Sequence, residues 1–165
     1  QIRQMVAVIC KRFGERVPSG KAGEAAFAFP APERLAQCSE AELRECKLGY
    51  RAPYLRDSAR MIAEGDVVLD ELPRLTCDEA RAELIKLPGV GPKIADCVLL
   101  FAGGFQEAFP IDVWILKALK ELYFAKKRNV TPKRIREFSD KYFGPNGGYA
   151  QQYLFHYMRK TAGRA

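Results

Sequence analysis

The sequence lacks the long apolar segments that membrane and secreted proteins carry. Its 165 residues contain no run of 18 apolar residues, so no segment is predicted to span a membrane. No charged-then-apolar signal stretch opens the chain. Hydrophobic residues at 48% and charged residues at 28% are ordinary globular values, which exclude disordered and collagen-like classes. Histidine occurs once, at His156, so histidine-based catalysis is not expected.

Cysteine is sparse, and its distribution favours neither disulfides nor a metal. The five cysteines are far apart in the chain: Cys10, Cys38, Cys46, Cys77 and Cys97. An odd number and wide spacing argue against a disulfide framework and against a zinc site. The four thiolates of an iron–sulfur cluster would need closer spacing. We therefore expect reduced thiols, an intracellular protein and no iron–sulfur cofactor.

Positive charge is in moderate excess. The 27 Lys and Arg outnumber the 20 Asp and Glu, which leaves a net charge of +7. Such a charge suits a nucleic-acid partner, although many basic proteins bind none. The length fits one domain, or one domain with a small second lobe. The first residue is Gln1, inside a helical pattern, so we expect the chain to be a piece of a longer protein.

The pattern of apolar and capping residues predicts helices and almost no strands, an all-α fold. Ser39 with Glu42 and Thr76 with Glu79 have the spacing of capping boxes, and prolines and glycines mark further helix ends. Helices are predicted over about 2–13, 39–46, 53–64, 76–86, 92–103, 112–124, 131–144 and 148–160, with a loop over 14–23. Basic residues at 126–128 and 133–136 are interpreted as a solvated face rather than a DNA track.

The most informative segment joins two predicted helices. Residues 87–93 read Leu-Pro-Gly-Val-Gly-Pro-Lys. Glycine permits positive φ and close backbone approach, so the N–H groups of Gly89, Gly91 and the next helix start can point outward. A DNA phosphate fits such a helix N-terminus without any side-chain charge. A plain helix–helix turn is the alternative, but it would need only one glycine.

A lysine and an aspartate follow the turn. Lys93 lies one step into the second helix, and Asp112 comes at the start of the next one. If they face one cleft, the amine and the carboxylate form a nucleophile pair, provided that desolvation beside a helix N-terminus helps a lysine to lose its proton. Taken alone, the aspartate serves equally well as an N-cap, and the lysine as a solvated or phosphate-contacting cation.

These residues resemble a known family. Residues 87–97, LPGVGPKIADC, followed by 110–113, PIDV, resemble the helix-hairpin-helix and Gly-Pro-Asp signature of DNA glycosylases. The lysine in the hairpin resembles the lysine that marks the bifunctional branch of this family. Residues 48–52 and 144–155 are similar to segments of the 8-oxoguanine DNA glycosylases within that branch. The resemblance covers essentially the whole chain. It implies a helical bundle of helix-hairpin-helix architecture over 1–165, with two helical lobes around a cleft and the hairpin at about 80–103.

The resemblance also implies residue roles. Lys93 would attack C1′ of the damaged nucleotide and form a Schiff base, after which β-elimination cuts the strand. Asp112 would stabilise the developing sugar cation and shuttle the lysine proton. The backbone of Gly89, Val90 and Gly91 would bind a phosphate, and the carbonyls of 87–91 would hold a monovalent cation (K⁺ or Na⁺). Cys97 and Phe155 would enclose the flipped base, and Gln151 would bond its Watson–Crick edge. Tyr50 and Arg51 would contact the estranged cytosine.

Each of these roles has a structural alternative. Phe155 could be a core residue, Cys97 a packing residue, and Tyr50 and Arg51 a loop anchor and a solvated charge. Gln152 stands beside Gln151, so a shift of one residue would exchange their roles.

Two departures from the family pattern stand out. Trp114 occupies the position of a phosphate-contacting histidine in the eukaryotic enzymes, and an indole carries no charge. The family's N-terminal β-rich domain and asparagine motif, which help to recognise 8-oxoguanine and the estranged cytosine, have no counterpart in the sequence. The chain would thus keep the reaction machinery and lose part of its recognition.

The sequence therefore predicts a monomeric base-excision glycosylase with AP lyase activity on damaged double-stranded DNA. Its location would be the cytoplasm of a bacterium or the nucleus of a eukaryote. A glycosylase for another lesion and a non-catalytic DNA-binding hairpin remain alternatives. The pair formed by Lys93 and Asp112 distinguishes the enzyme from the binding module, which has no need of it.

Overall fold

The computed structural model describes residues 1–18, 25–125 and 130–162, and in these ranges the chain is mostly helical. The α-helices are α1 (Ile2–Phe13), α2 (Pro32–Ala36), α3 (Glu40–Leu43), α4 (Ala52–Ala63), α5 (Cys77–Ile85), α6 (Pro92–Phe101), α7 (Val113–Leu122), α8 (Pro132–Phe143) and α9 (Gly147–Ala162). Strands β1 (Arg16–Val17) and β2 (Ala26–Phe27) form one antiparallel pair, with Arg16 opposite Phe27. The all-α prediction is confirmed. None of the described helices is long and apolar enough to cross a membrane.

Local capping explains where several helices begin. The Ser39 N–H donates to the Glu42 carboxylate at 2.8 Å, and the Glu42 N–H donates back to the Ser39 hydroxyl. Thr76 and Glu79 form the same reciprocal pair at the start of α5. A cap of this kind contributes about 1 kcal/mol, because it satisfies N–H groups that the helix itself leaves unpaired.

Short elements depart from the predictions. The helix predicted over 39–46 is a single turn followed by a π-helical segment, Arg44–Leu48, in which Lys47 has a φ of 64°. Part of the predicted loop over 14–23 is strand β1, and residues 19–24 lie outside the described residues, as does the basic stretch at 126–128. Elements of two to five residues are too short for their periodicity to be read.

The chain forms two compact units. The first contains residues Gln1–Leu69 and Lys86–Gly89, and the second contains Asp70–Ile85 and Val90–Ala165. The first is built around buried residues of α1, α2 and α4, and the second around Phe109 and buried residues of α7, α8 and α9. The division falls inside the hairpin turn. The predicted cleft between two lobes stays a prediction.

Candidate active site

The turn between α5 and α6 exposes backbone donors. Gly89 has a φ of 78°, and Gly91 is extended and forms the N-cap of α6. The Ser58 hydroxyl donates to the Pro88 carbonyl at 3.3 Å and holds the start of the turn. The N–H groups of 89–91 precede the first turn of α6, whose leading N–H groups have no acceptor inside the helix itself. These groups therefore remain available to an anion such as a phosphate.

Gly89 is required for two separate reasons. Besides the positive φ, an added Cβ would lie 2.7 Å from Cδ2 of Tyr54 and 2.9 Å from its Cγ. We expect Gly89→Ala to lower the free energy of unfolding by about 2 kcal/mol or more, since the left-handed φ costs roughly 1–2 kcal/mol and the clash adds to it. Urea unfolding measures the loss.

Gly65→Ala is the matched control for the clash. Gly65 has a φ of 81° but no atom within 4 Å of an added Cβ, so this variant carries the cost of φ alone. Equal losses in Gly89→Ala and Gly65→Ala would show that the Tyr54 ring moves aside freely, contrary to the prediction.

The lysine and the aspartate stand at the starts of two helices. Lys93 lies in the first turn of α6, directly after Pro92, and its side chain is exposed. Asp112 is the N-cap of α7, where its Oδ1 accepts the N–H groups of Trp114 at 3.0 Å and Ile115 at 2.8 Å. Both bonds fall on one oxygen of the carboxylate. The N-cap role is thus real, and it leaves Oδ2 for other chemistry.

A cavity of about 180 Å³, the small cavity, brings the predicted catalytic and base-pocket residues together. Lys93 and Asp112 line it, and Cys97, one turn further along α6, lies on the same cavity. Gln151 and Phe155, one turn apart on α9, complete the set. The wall therefore combines an amine, a carboxylate, a thiol, an amide and an aromatic ring, the groups expected around an extruded base.

The two neighbouring glutamines differ in their surroundings. Gln151 is 5% exposed; its Nε2 donates to the Pro110 carbonyl at 3.1 Å, and its Oε1 accepts from Gln152. Gln152 is exposed and also lines the small cavity. Since an amide has two N–H donors and two acceptor lone pairs, the buried Gln151 keeps one of each for a base edge.

A second cavity, the large cavity of about 660 Å³, shares Lys93 and Asp112 with the small one. Its wall is mainly apolar, and two basic residues of α8, Lys133 and Arg136, also line it. Both cations belong to the basic stretch 133–136, for which the sequence predicts a solvated face. Their spacing of three residues on one helix was the available signal, but only the fold puts this helix beside the lysine and the aspartate.

A buried ion cluster is centred on Asp96 of α6. Asp96 has no exposed surface; its Oδ1 accepts from Arg81 Nε at 2.6 Å and its Oδ2 from Arg136 Nη2 at 2.6 Å. Burial disfavours the charged form of Arg81, but the hydrogen bond and the charge of Asp96 outweigh it and raise the pKa of Arg81. Arg81 also pairs with Asp78. A carboxylate this buried needs such partners, because an unpaired buried charge costs several kcal/mol.

The residues predicted for the estranged base lie in the first unit. Tyr50 is 63% exposed, and the Arg51 guanidinium carbon lies 4.5 Å from the centroid of its ring. Both line a cavity of that unit together with Lys47 and Leu48. An exposed ring stacked with a guanidinium can contact a base, but this role stays a prediction.

The described residues contain no group of three or more His, Cys, Asp or Glu side chains placed to hold a metal ion. All five cysteines are free thiols. Burial raises the pKa of Cys77 to about 11, so this thiol stays protonated at neutral pH and is a poor nucleophile. The monovalent cation at the carbonyls of 87–91 remains a prediction.

Fold and site together define a helix-hairpin-helix protein with a lysine–aspartate pair at a base-sized cavity. Residues 2–145 match the model of the HhH-GPD superfamily of base excision DNA repair proteins. The chain belongs to this superfamily.

Two named relatives are similar to most of this chain. A probable N-glycosylase/DNA lyase of Methanothermobacter thermautotrophicus is 34% identical, covering 84% of this chain and 50% of its own length. The N-glycosylase/DNA lyase OGG1 of Arabidopsis thaliana is 37% identical, covering 77% of this chain and 37% of its own length. This chain therefore spans half or less of these relatives.

A solved structure shows the same fold. The Clostridium acetobutylicum 8-oxoguanine glycosylase/lyase, in complex with double-stranded DNA containing cytosine opposite 8-oxoguanine, superposes with a TM-score of 0.88 at 37% identity. The match covers 98% of this chain and 54% of that protein.

Proposed function

We propose that this chain carries the reaction centre of a bifunctional DNA glycosylase and AP lyase that removes 8-oxoguanine from double-stranded DNA. The observation that carries the proposal is the small cavity, where Lys93 and Asp112 meet Cys97, Gln151 and Phe155. The two named relatives support the reaction, and the Clostridium acetobutylicum structure supports both the reaction and the lesion. The enzyme would act as a monomer, in the cytoplasm of a bacterium or the nucleus of a eukaryote.

Base excision begins with the lesion turned out of the duplex into the small cavity. Stacking on the Phe155 ring and contact with the Cys97 thiol replace part of the stacking lost in the helix. The amide of Gln151, held by Pro110, offers its remaining donor and acceptor to the Watson–Crick edge. A rigid amide favours one arrangement of donors and acceptors on the base, which is what selectivity requires.

The Lys93 amine is the nucleophile. Its nitrogen forms a bond to C1′ while the glycosidic C1′–N9 bond breaks, and the base leaves with the electron pair and takes up a proton. Opening of the sugar then gives the Schiff base. A proton is then lost from C2′, a C2′=C3′ double bond forms and the C3′–O3′ bond breaks, so that the phosphate leaves with O3′ and the strand is cut. Lys93 is exposed, so bound DNA would supply the desolvation that a nucleophilic amine needs.

Asp112 supports the charge changes at the sugar. Its Oδ1 is fixed by the two N–H groups of α7, which orients Oδ2 without further cost in side-chain entropy. A carboxylate fixed next to C1′ stabilises the positive charge that develops there, and it can accept the proton released by Lys93.

The hairpin would hold the DNA backbone. The N–H groups of Gly89, Val90 and Gly91 would bind a phosphate, with a monovalent cation on the carbonyls of 87–91. Binding of this kind is independent of sequence, so it positions the duplex while the small cavity selects the base.

Borohydride trapping on three duplexes tests the proposal. One duplex contains 8-oxoguanine opposite cytosine, one a natural abasic site, and one a tetrahydrofuran site, whose C1′ cannot form an imine. We expect a covalent complex on the first two and none on the third. Trapping on the abasic duplex alone would support the lyase and contradict 8-oxoguanine as the substrate of this chain. Trapping on none, with salt-sensitive binding, would indicate a DNA-binding module.

A further inference from the structure

We infer that Arg136, oriented by the buried Asp96, binds a DNA phosphodiester next to the reacting sugar in the large cavity. The inference rests on the proposed function, since it takes the sugar to be held at Lys93. It adds a phosphate-binding side chain on α8 to the backbone site at the hairpin.

The arginine is held in place but is only partly used. Its Nη2 donates to Asp96 Oδ2 at 2.6 Å, and its side chain is 26% exposed. Among the described residues, none accepts a hydrogen bond from its Nε or Nη1. A guanidinium fixed by a buried carboxylate keeps a planar set of donors for two phosphate oxygens and loses little entropy when it binds them.

Arg136 shares its buried carboxylate with a second arginine. Asp96 is shared, because Arg81 occupies its other oxygen at 2.6 Å. Two further carboxylates face the arginines from the surface: Asp78, which pairs with Arg81 and is 89% exposed, and Asp140, one turn after Arg136 on α8. Water screens both of them. Within the described ranges, two guanidinium groups thus face one buried carboxylate. Apolar neighbours such as Ile111 and Leu116 strengthen an interaction with an anion in the large cavity.

The position fits a phosphate next to the reaction centre. Arg136 lines the same cavity as Lys93 and Asp112. The sugar that Lys93 attacks carries a phosphate on each side, so a cation lining this cavity is placed for one of them. Lys133 lines it too and is 87% exposed, with Glu137 at 3.9 Å as a loose partner. Only Arg136 is fixed by a buried residue.

Arg136→Gln and Arg81→Gln form a matched pair of variants. Each removes one positive charge and one 2.6 Å bond to Asp96, but only Arg136 lines the large cavity. Affinity for the tetrahydrofuran duplex is measured as a function of salt concentration. We expect Arg136→Gln to weaken binding about tenfold and to lower the slope of log affinity against log salt by about 1. Arg81→Gln should leave both unchanged, and Arg136→Lys should restore the slope.

Equal effects of the two glutamine variants, or a wild-type slope in Arg136→Gln, would overturn the inference. Abasic trapping by the wild type keeps this failure separate, because the part of the proposed function on which the inference rests, the sugar held at Lys93, fails only if that trapping is absent. If the single variants do not fold, each is repeated with Asp96→Asn, which removes the buried charge that lost its partner. The same difference in slope is then expected between the two double variants.

Discussion

Lys93→Gln is expected to abolish borohydride trapping on the abasic duplex and to slow strand cleavage on the order of 10³-fold or more. Glutamine is one atom shorter than lysine, remains polar, and has no amine to form a Schiff base. The fold should be unaffected, because Lys93 is exposed in the first turn of α6 and supports no core contact. Trapping, single-turnover cleavage and DNA affinity are measured on the same protein.

Lys117→Gln is the control for the loss of charge. Lys117 is exposed on α7 and pairs loosely with Glu121 at 3.8 Å, and it lines neither the small nor the large cavity. The Lys117→Gln variant should form the covalent complex with the abasic duplex at the wild-type rate. Full lyase activity in Lys93→Gln would disprove the Schiff-base role and leave the residue as a phosphate contact.

Asp112→Asn is expected to slow base excision roughly 10²–10⁴-fold, because the amide can neither accept the lysine proton nor stabilise the developing sugar cation by charge. Asparagine is as good an N-cap as aspartate, and its Oδ1 can accept the same two N–H groups of α7. Stability should therefore change by no more than about 1 kcal/mol. Single-turnover excision and thermal unfolding distinguish the two effects.

Thr76→Ala provides the comparison for a purely structural cap. Thr76 caps α5 through Glu79 and lines neither the small nor the large cavity. Its loss should cost about 1 kcal/mol of stability and leave excision unchanged. If Asp112→Asn excised the base at the wild-type rate, its carboxylate would be a helix cap and nothing more.

Local sequence patterns predict many of the helices and the hairpin turn. The helix over 2–13 follows from apolar spacing, and the starts of α3, α5 and α7 follow from Ser39, Thr76 and Asp112, since capping depends on residues three apart at most. The hairpin turn was also predictable, because its glycines and prolines restrict the backbone within a few residues.

The grouping of the site was predictable only through resemblance to a family. The spacing of Lys93 and Asp112 in the sequence is equally compatible with a solvated cation and a helix cap. Only the structure brings the two residues together with three pocket residues around the small cavity. The hydrogen bond from Gln151 to the Pro110 carbonyl distinguishes this glutamine from its neighbour Gln152, and no local sequence pattern could predict it.

Local order along the chain thus accounts for the helices, their caps and the phosphate-binding turn, because each depends on neighbours within one or two turns. The ion cluster of Asp96, Arg81 and Arg136 has no such origin. Its partners are 15 and 40 residues apart in sequence and meet because α5 and α8 both pack their arginines onto one buried carboxylate of α6. Which cations stay in water and which face the reaction centre is settled by packing, since burial and charge pairing are properties of the folded chain.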